Sequence, residues 1–268
     1  MENAGKQVAF VKSADRVLDI LELLADEQHP LNLVEISRRL DLPTSSTYKI
    51  IQNLLERGYL ESDNSEKQFR LGHKLLEIAT KYTRNTDLIS EFQQIALKIV
   101  GDINEAVFLS IRDRDKILYV SEKQSSHPVR FVSHMGMKLP IHSTAMGKAM
   151  LSKYTDDEIA SIYSDKSLGK LTESTINDLD QLLEQIREAR ERGLFYSYGE
   201  AVQGVRCAAA PICNANNEAV AAIGISIPET RLTDELWQSA QDWVKQSAKE
   251  LSLRIYYHGI AQSNRLNG

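Results

Sequence analysis

The feature that most constrains the fold is a short stretch reading LVEISRRLDLPTSSTYKIIQNLLERGYL, residues 33–60. Two helical periodicities lie almost end to end in it, interrupted by Pro43 and the hydroxyl run at residues 44–47. Asn32 begins the first of them with Glu35 three residues on as a capping-box partner, and Leu33, Ile36 and Leu40 form its apolar face. The second runs to Gly58, which serves as a C-terminal cap. Upstream, Ser13 is expected to cap a further helix with Val17, Leu21 and Leu24 on one side, ended by Gln28-His29-Pro30. Downstream, YLESDNSEKQFRL has apolar Leu60, Phe69 and Leu71, a polar centre, and outward Gln68 and Arg70, the pattern of a β-hairpin.

On a wheel of about 100° per residue, Thr47, Ile50, Ile51 and Leu54 share one side of the third helix. Ser45, Tyr48, Lys49 and Gln52 share the other, a polar stripe with no acid in it. Hydroxyls, a phenol, an amide and a lysine can donate to phosphate oxygens or reach base edges in a major groove. Helix, turn and a second helix with such a face make a helix-turn-helix, with the hairpin as its wing. Thr44 is expected to cap the helix, while Ser45 and Ser46 face DNA at a helix start whose N–H groups favour phosphate. Arg38 and Arg39 lie off the apolar face of the second helix, and Lys67 and Arg70 lie on the wing. The blander alternatives are a small helical domain with a hydroxyl-rich cap and, for the four cations, solvated surface charge.

Charge does not favour DNA by itself. The chain carries a formal −5, and its first 85 residues hold 12 Lys+Arg against 13 Asp+Glu. Local arrangement has to supply any attraction to nucleic acid. The 268 residues suffice for two domains. No apolar run approaches the roughly 18 residues of a membrane span, and the N-terminus lacks a signal peptide's apolar core. Two cysteines, Cys207 and Cys213, make no disulfide framework, which points to the reducing cytoplasm.

After a connecting helix over residues 73–86 the pattern changes. A helix with Leu88, Phe92, Ile95 and Ile99 precedes the strands AVFLSI and KILYVS, and a third strand is expected near VRFVSH. Helices follow around 143–152, 155–163 and 175–192, the second with Thr155 and Glu158 as a capping box. The strands VRCAAAPI and EAVAAIGISI and a last helix from Thr233 complete an α+β order without a regular βαβ repeat.

Enzymatic readings find little purchase. AMGKAM lacks the glycine and the hydroxyl of a phosphate loop, having His142 and Ala149 there instead. Cys207 has no nucleophile context, His127, His134 and His142 lack zinc spacing, and Asp156, Asp157 and Glu158 suit a helix start. No catalytic pair is identifiable, and no cofactor or metal is expected.

The segments SADRVLDILELLADEQHPLNLVEISRRLDLPTSSTYKIIQNLLERGYLE, LPIHSTAMGKAMLS, GVRCAAAPI and AAIGISIPETRLT, in this order and spacing, resemble the IclR family of bacterial transcriptional regulators. The resemblance implies a winged helix-turn-helix over residues 1–72, a linker helix over 73–86 and a GAF-like α/β effector-binding domain over 87–260. It also implies dimers or tetramers on palindromic double-stranded DNA operators, answering to a small metabolite, often an organic acid. Effector positions of the family match Ala145 and Met146, the apolar Phe131, Leu139 and Val205, and the polar Ser197, Cys207 and Ser226. Some members carry an acid where Ser197 stands and a serine where Gly224 stands, which implies a bulkier or less hydroxylated ligand here. The residues add that Ser143 or Thr144 can cap a helix whose small Ala145 and Gly147 let a carboxylate approach its N–H groups. Plain core packing is the alternative at each position. Two other functions stay open: an enzyme whose N-terminal domain only makes protein contacts, and a sensor acting through protein partners.

Overall fold

A computed structural model of the protein describes residues 11–63, 67–84, 87–131, 134–163 and 167–266. The chain divides into two compact units, Met1–Asn85 and Thr86–Gly268.

In the first unit, α1 (Lys12–Asp26), α2 (Leu33–Arg39) and α3 (Thr44–Glu56) precede the hairpin of β2 (Leu60–Ser62) and β3 (Gln68–Leu71). A two-residue strand, β1 (Leu31–Asn32), adds to the free side of β3, with Leu31 opposite Phe69. Ile20, Leu24, Ile36, Ile51, Leu54, Leu60 and Phe69 make one small core. Each is an apolar position read from periodicity, Ile20 excepted. Asn32 and Glu35 form the reciprocal cap of α2, both bonds at 2.9 Å. Ser13 does not cap α1. Val11 is the cap residue and its carbonyl already accepts from Ala14 and Asp15, so Ser13 falls inside the first turn. A helix, α4 (His73–Arg84), follows the hairpin.

The second unit is a six-stranded antiparallel sheet with helices on both faces. Its elements are α5 (Asp87–Ile103), β4 (Ala106–Asp113), β5 (Lys116–Lys123), β6 (Lys138–Pro140), α6 (Ala145–Met150), α7 (Asp156–Ile162), α8 (Leu179–Arg192), β7 (Phe195–Tyr198), β8 (Val205–Cys213), β9 (Ala219–Pro228) and α9 (Asp234–Leu266). The strand order is β6-β5-β4-β9-β8-β7. Alternation sorts the strands' residues. Val107, Leu109, Ile212, Ile223 and Ile225 face Phe92, Ile95 and Ile99 of α5 and Ala240, Val244 and Leu251 of α9. Phe108, Ile117, Tyr119, Phe195, Ala209 and Ala222 face α6, α7 and α8 on the other side. Among the described residues, no helix is long and apolar enough to cross a membrane.

Three expectations need correction. The third strand is not near VRFVSH but at β6, where Leu139 pairs with Ile117. Residues 129–131 and 134 are not in a strand, and residues 132 and 133 fall outside the described ones. The Val129 carbonyl accepts instead from the Arg231 guanidinium at 2.5 Å. The helix expected over 143–152 is split: Ile141–Ser143 is a 3₁₀ turn, Thr144 is extended, and α6 follows. The helix expected from 175 begins at Leu179 behind an Asp178 cap, because the Thr175 hydroxyl is committed to the Glu200 carbonyl at 2.6 Å.

Candidate nucleic-acid interface and ligand pocket

α3 is two-sided. Thr47, Ile51 and Leu54 are buried, while Thr44, Ser45, Lys49 and Gln52 are exposed and Tyr48 is 50% exposed. Ser46 is intermediate. Thr44 is not the cap. Pro43 occupies that position with φ −61° and ψ 126°, and no side chain caps the helix. Proline's fixed φ suits entry to a helix, so the helix starts directly after it. Two hydroxyls bond back to it instead: Ser46 Oγ and Thr47 Oγ1 donate to the Pro43 carbonyl at 2.9 and 3.1 Å. Thr44 and Ser45 are thus left at the exposed start of α3, beside helix N–H groups that lack partners within the helix.

The four cations divide. Arg38 and Lys67 flank Tyr48 along an open groove between α2, the start of α3 and β3. Arg39 pairs with Glu27. Arg70 pairs with Glu61 at 3.1 Å, and hydrogen bonds from His73 and Arg70 hold the Glu61 carboxyl below its usual range. Exposed pairs of this kind are worth little and open readily toward a phosphate. The tip of the wing, residues 64–66, lies outside the described residues.

The second unit holds a pocket between α6 and the sheet. All nine positions drawn from the resemblance line it: Phe131, Leu139, Ala145, Met146, Ser197, Val205, Cys207, Gly224 and Ser226. The void, mouth included, is about 420 Å³. Its floor exists because the inner face of β8 and β9 is built from small residues in register, Cys207 opposite Ser226 and Ala209 opposite Gly224. α6 can therefore approach closely. A methyl group on Gly147 would stand 1.9 Å from the Ile141 carbonyl oxygen, so only glycine fits there. Gly224 is less constrained, since a methyl group there would meet the flexible Met146 side chain, its Cγ at 2.8 Å, rather than backbone.

The pocket's polar groups are few. Thr144 caps α6 by accepting from Gly147 N–H at 3.0 Å. Ser197 donates to the Ser143 carbonyl at 3.2 Å, and Cys207 Sγ lies 3.2 Å from Ser226 Oγ. Burial pushes the Cys207 thiol up to about 11, so it is a packing and hydrogen-bonding group rather than a nucleophile. None of the lining residues is charged. Lys148, on the same helix and itself buried, is committed elsewhere: its Nζ donates to Glu200 Oε1 at 2.6 Å, Gln185 Oε1 at 2.8 Å and the Tyr196 carbonyl at 3.2 Å.

Several lining residues lay beyond the sequence reading: Tyr119, Ala201, Val202, Ala208 and Ile225. Alternation in KILYVS does place Tyr119 with Ile117 on one face and carried a usable signal. Ala201 and Val202 sit in a loop without periodicity and carried none. The set-aside histidines stand apart. His142 is buried with Nε2 3.0 Å from the Gly169 carbonyl, His127 contacts Asn104, and His134 contacts the Met135 carbonyl. Asp156 pairs with Arg187 and Arg190. Among the described residues no three His, Cys, Asp or Glu side chains are grouped to hold a metal.

Comparison with known proteins matches residues 13–64 to the IclR helix-turn-helix domain and residues 80–253 to the C-terminal domain of the bacterial transcriptional regulator IclR. The regulator KdgR of Escherichia coli is 28% identical over 260 residues, covering 96% of this chain and 98% of its own. The repressor AllR of Salmonella typhimurium is 29% identical over 244 residues, covering 91% and 90%. A solved transcriptional-regulator structure from Rhodococcus superposes with a TM-score of 0.81 at 27% identity, covering 92% of this chain and 98% of that one.

Proposed function

The chain belongs to the IclR family of bacterial transcriptional regulators, and from that premise we propose that it binds a palindromic operator as a dimer or tetramer and responds to a small organic acid held in its C-terminal pocket. The helix-turn-helix is its DNA-binding part and the C-terminal domain its effector part. Residues 1–72, 73–86 and 87–260 are the proposed bounds of reader, linker and effector domain.

The observation that carries the DNA side is the division of α3, whose buried Thr47, Ile51 and Leu54 hold it to the core and leave Ser45, Tyr48, Lys49 and Gln52 outward. These four read bases and backbone in the major groove. Thr44, Ser46, Arg38, Arg39, Lys67 and Arg70 contact phosphate around them. On the effector side, the α6 N–H groups with Thr144, Ser197 and Ser226 hold a carboxylate, and Phe131, Leu139 and Val205 cover an apolar body. Ser197 and Gly224, where some relatives carry an acid and a serine, favour a less hydroxylated ligand. Ligand alters operator affinity only by binding the two arrangements of the protein unequally.

Duplexes selected from a random pool by the full-length chain test this. The selected site should be palindromic, and one acid from a thermal-shift screen should change its gel-shift midpoint. Selection that returns no common sequence overturns the operator proposal. A screen in which no acid moves both melting and gel shift overturns the effector proposal.

A further inference from the structure

Met146 lines the pocket. Its thioether lies in the notch left by the missing side chain of Gly224, where an added Cβ would be 2.8 Å from Met146 Cγ and 3.1 Å from Sδ. Below the same sulfur is Ser110, fully buried, whose hydroxyl donates to Met146 Sδ at 3.4 Å. Thioether sulfur is a weak acceptor, so this bond adds little to the packing that buries Met146, and no strong polar contact fixes the side chain in place. Sheet register explains the grouping. Phe108 pairs with Gly224 and Ser110 with Ala222, which puts Ser110 and Gly224 on the inner face as diagonal neighbours. An irregularity in the β4–β5 pairing falls between Leu109 and Ser110, bringing Tyr119 opposite Ser110. Such breaks re-aim side chains beside binding sites.

We infer that Met146 is a displaceable plug, and that the notch over Gly224 beneath it is a sub-site for the apolar tail of a carboxylic acid too long for the pocket with Met146 in place. Methionine is suited to this, being unbranched, with rotatable bonds that let it vacate a space and repack elsewhere. Residue 224 then sets the depth, because any side chain there occupies the notch. The inference rests on the organic-acid reading of the pocket and adds to it which acids are admitted.

The test is calorimetric titration of the full-length chain with the straight-chain series from acetate to octanoate, comparing the unaltered protein with Met146→Ala and Gly224→Ala. The reading is the ratio of octanoate to butanoate affinity. Removing the plug in Met146→Ala should raise that ratio at least tenfold. Filling the notch in Gly224→Ala should lower it at least tenfold. Met146→Ala, a large-to-small change, keeps the test decisive if Gly224→Ala fails to fold. Smaller changes, or changes of one sign in both variants, overturn the inference and leave the ligand reading standing. If no acid of the series binds any of the three proteins, the inference falls, and the wider acid screen decides the ligand reading separately.

Discussion

Replacing Lys148 with methionine keeps the length of the side chain and removes its charge. Lys148 and Glu200 have side chains only 2% and 5% exposed, and their charged atoms are 2.6 Å apart. Burial pulls the lysine down and pushes the glutamate up, while their contact opposes both shifts. Without the lysine, Glu200 has no cation to offset its burial. Its cheapest escape is to take up a proton. From an ordinary value of 4.5, protonation at pH 7 costs about 3.4 kcal/mol, at about 1.36 kcal/mol per pH unit. Loss of the bonds to Gln185 and Tyr196 adds about 1 kcal/mol each, independent of pH. The expected destabilisation is therefore about 5 kcal/mol at neutral pH, at the upper end of what breaking a buried pair costs, with the proton-linked part shrinking by about 1.4 kcal/mol for each unit of acidification toward pH 5. Trp237 and Trp243 both lie in α9, so tryptophan fluorescence during urea unfolding reports the second unit. Adding Glu200→Gln should recover the pH-dependent part. A deficit equal at pH 7 and pH 5, or one below about 1 kcal/mol, would mean that Glu200 does not depend on Lys148 for its charge.

Three further outcomes follow from the same geometry. Burial holds the His142 imidazole below its ordinary 6.5, so the folded state binds fewer protons than the unfolded one, and stability present above pH 6.5 is lost as pH falls toward the folded value. The second unit should melt lower at pH 5.5 than at pH 7.5, and His142→Phe should reduce that difference; an unchanged difference contradicts the assignment. Lys49→Ala should weaken operator binding and reduce the magnitude of the salt slope by about 2, one contact from each of two copies, while the tryptophan melt stays the same; unaltered gel-shift affinity counts against its role. Gly147→Ala would drive a methyl group against the Ile141 backbone and should cost about 3 kcal/mol or more, read as a lowered fluorescence melt, with an unshifted melt as the contrary result.

Local chemistry was readable where one segment contains both partners. The caps Asn32–Glu35 and Thr155–Glu158 and the two faces of α3 were each legible from spacing alone. The choice between neighbouring cap residues was not, because it depends on backbone angles: Val11 displaced Ser13, and Pro43 displaced Thr44. β7 was missed since Phe195 and Ser197 point in while Tyr196 and Tyr198 point out, which is no polar–apolar alternation. The nine pocket positions came through family resemblance. Periodicity only says that the inner faces of β8 and β9 are small, and the sheet is what turns that smallness into space. Lys148 and Glu200 are 52 residues apart, and their pairing required the tertiary fold.

The outer side of α3 is the surface proposed to lie on duplex DNA, and the dependence of operator affinity on salt shows whether it does. Leaving aside Arg39 and Arg70, whose charges Glu27 and Glu61 already offset, if each of two copies neutralises about three phosphates through Arg38, Lys49 and Lys67, log affinity should fall linearly with log salt at a slope of about −5. Fluorescence anisotropy on a selected palindromic duplex measures it between about 50 and 200 mM salt. A slope near −5, made shallower by Lys49→Ala, is the predicted result. A flat line would mean that no phosphate is contacted, and α3 would not be the surface that reads DNA.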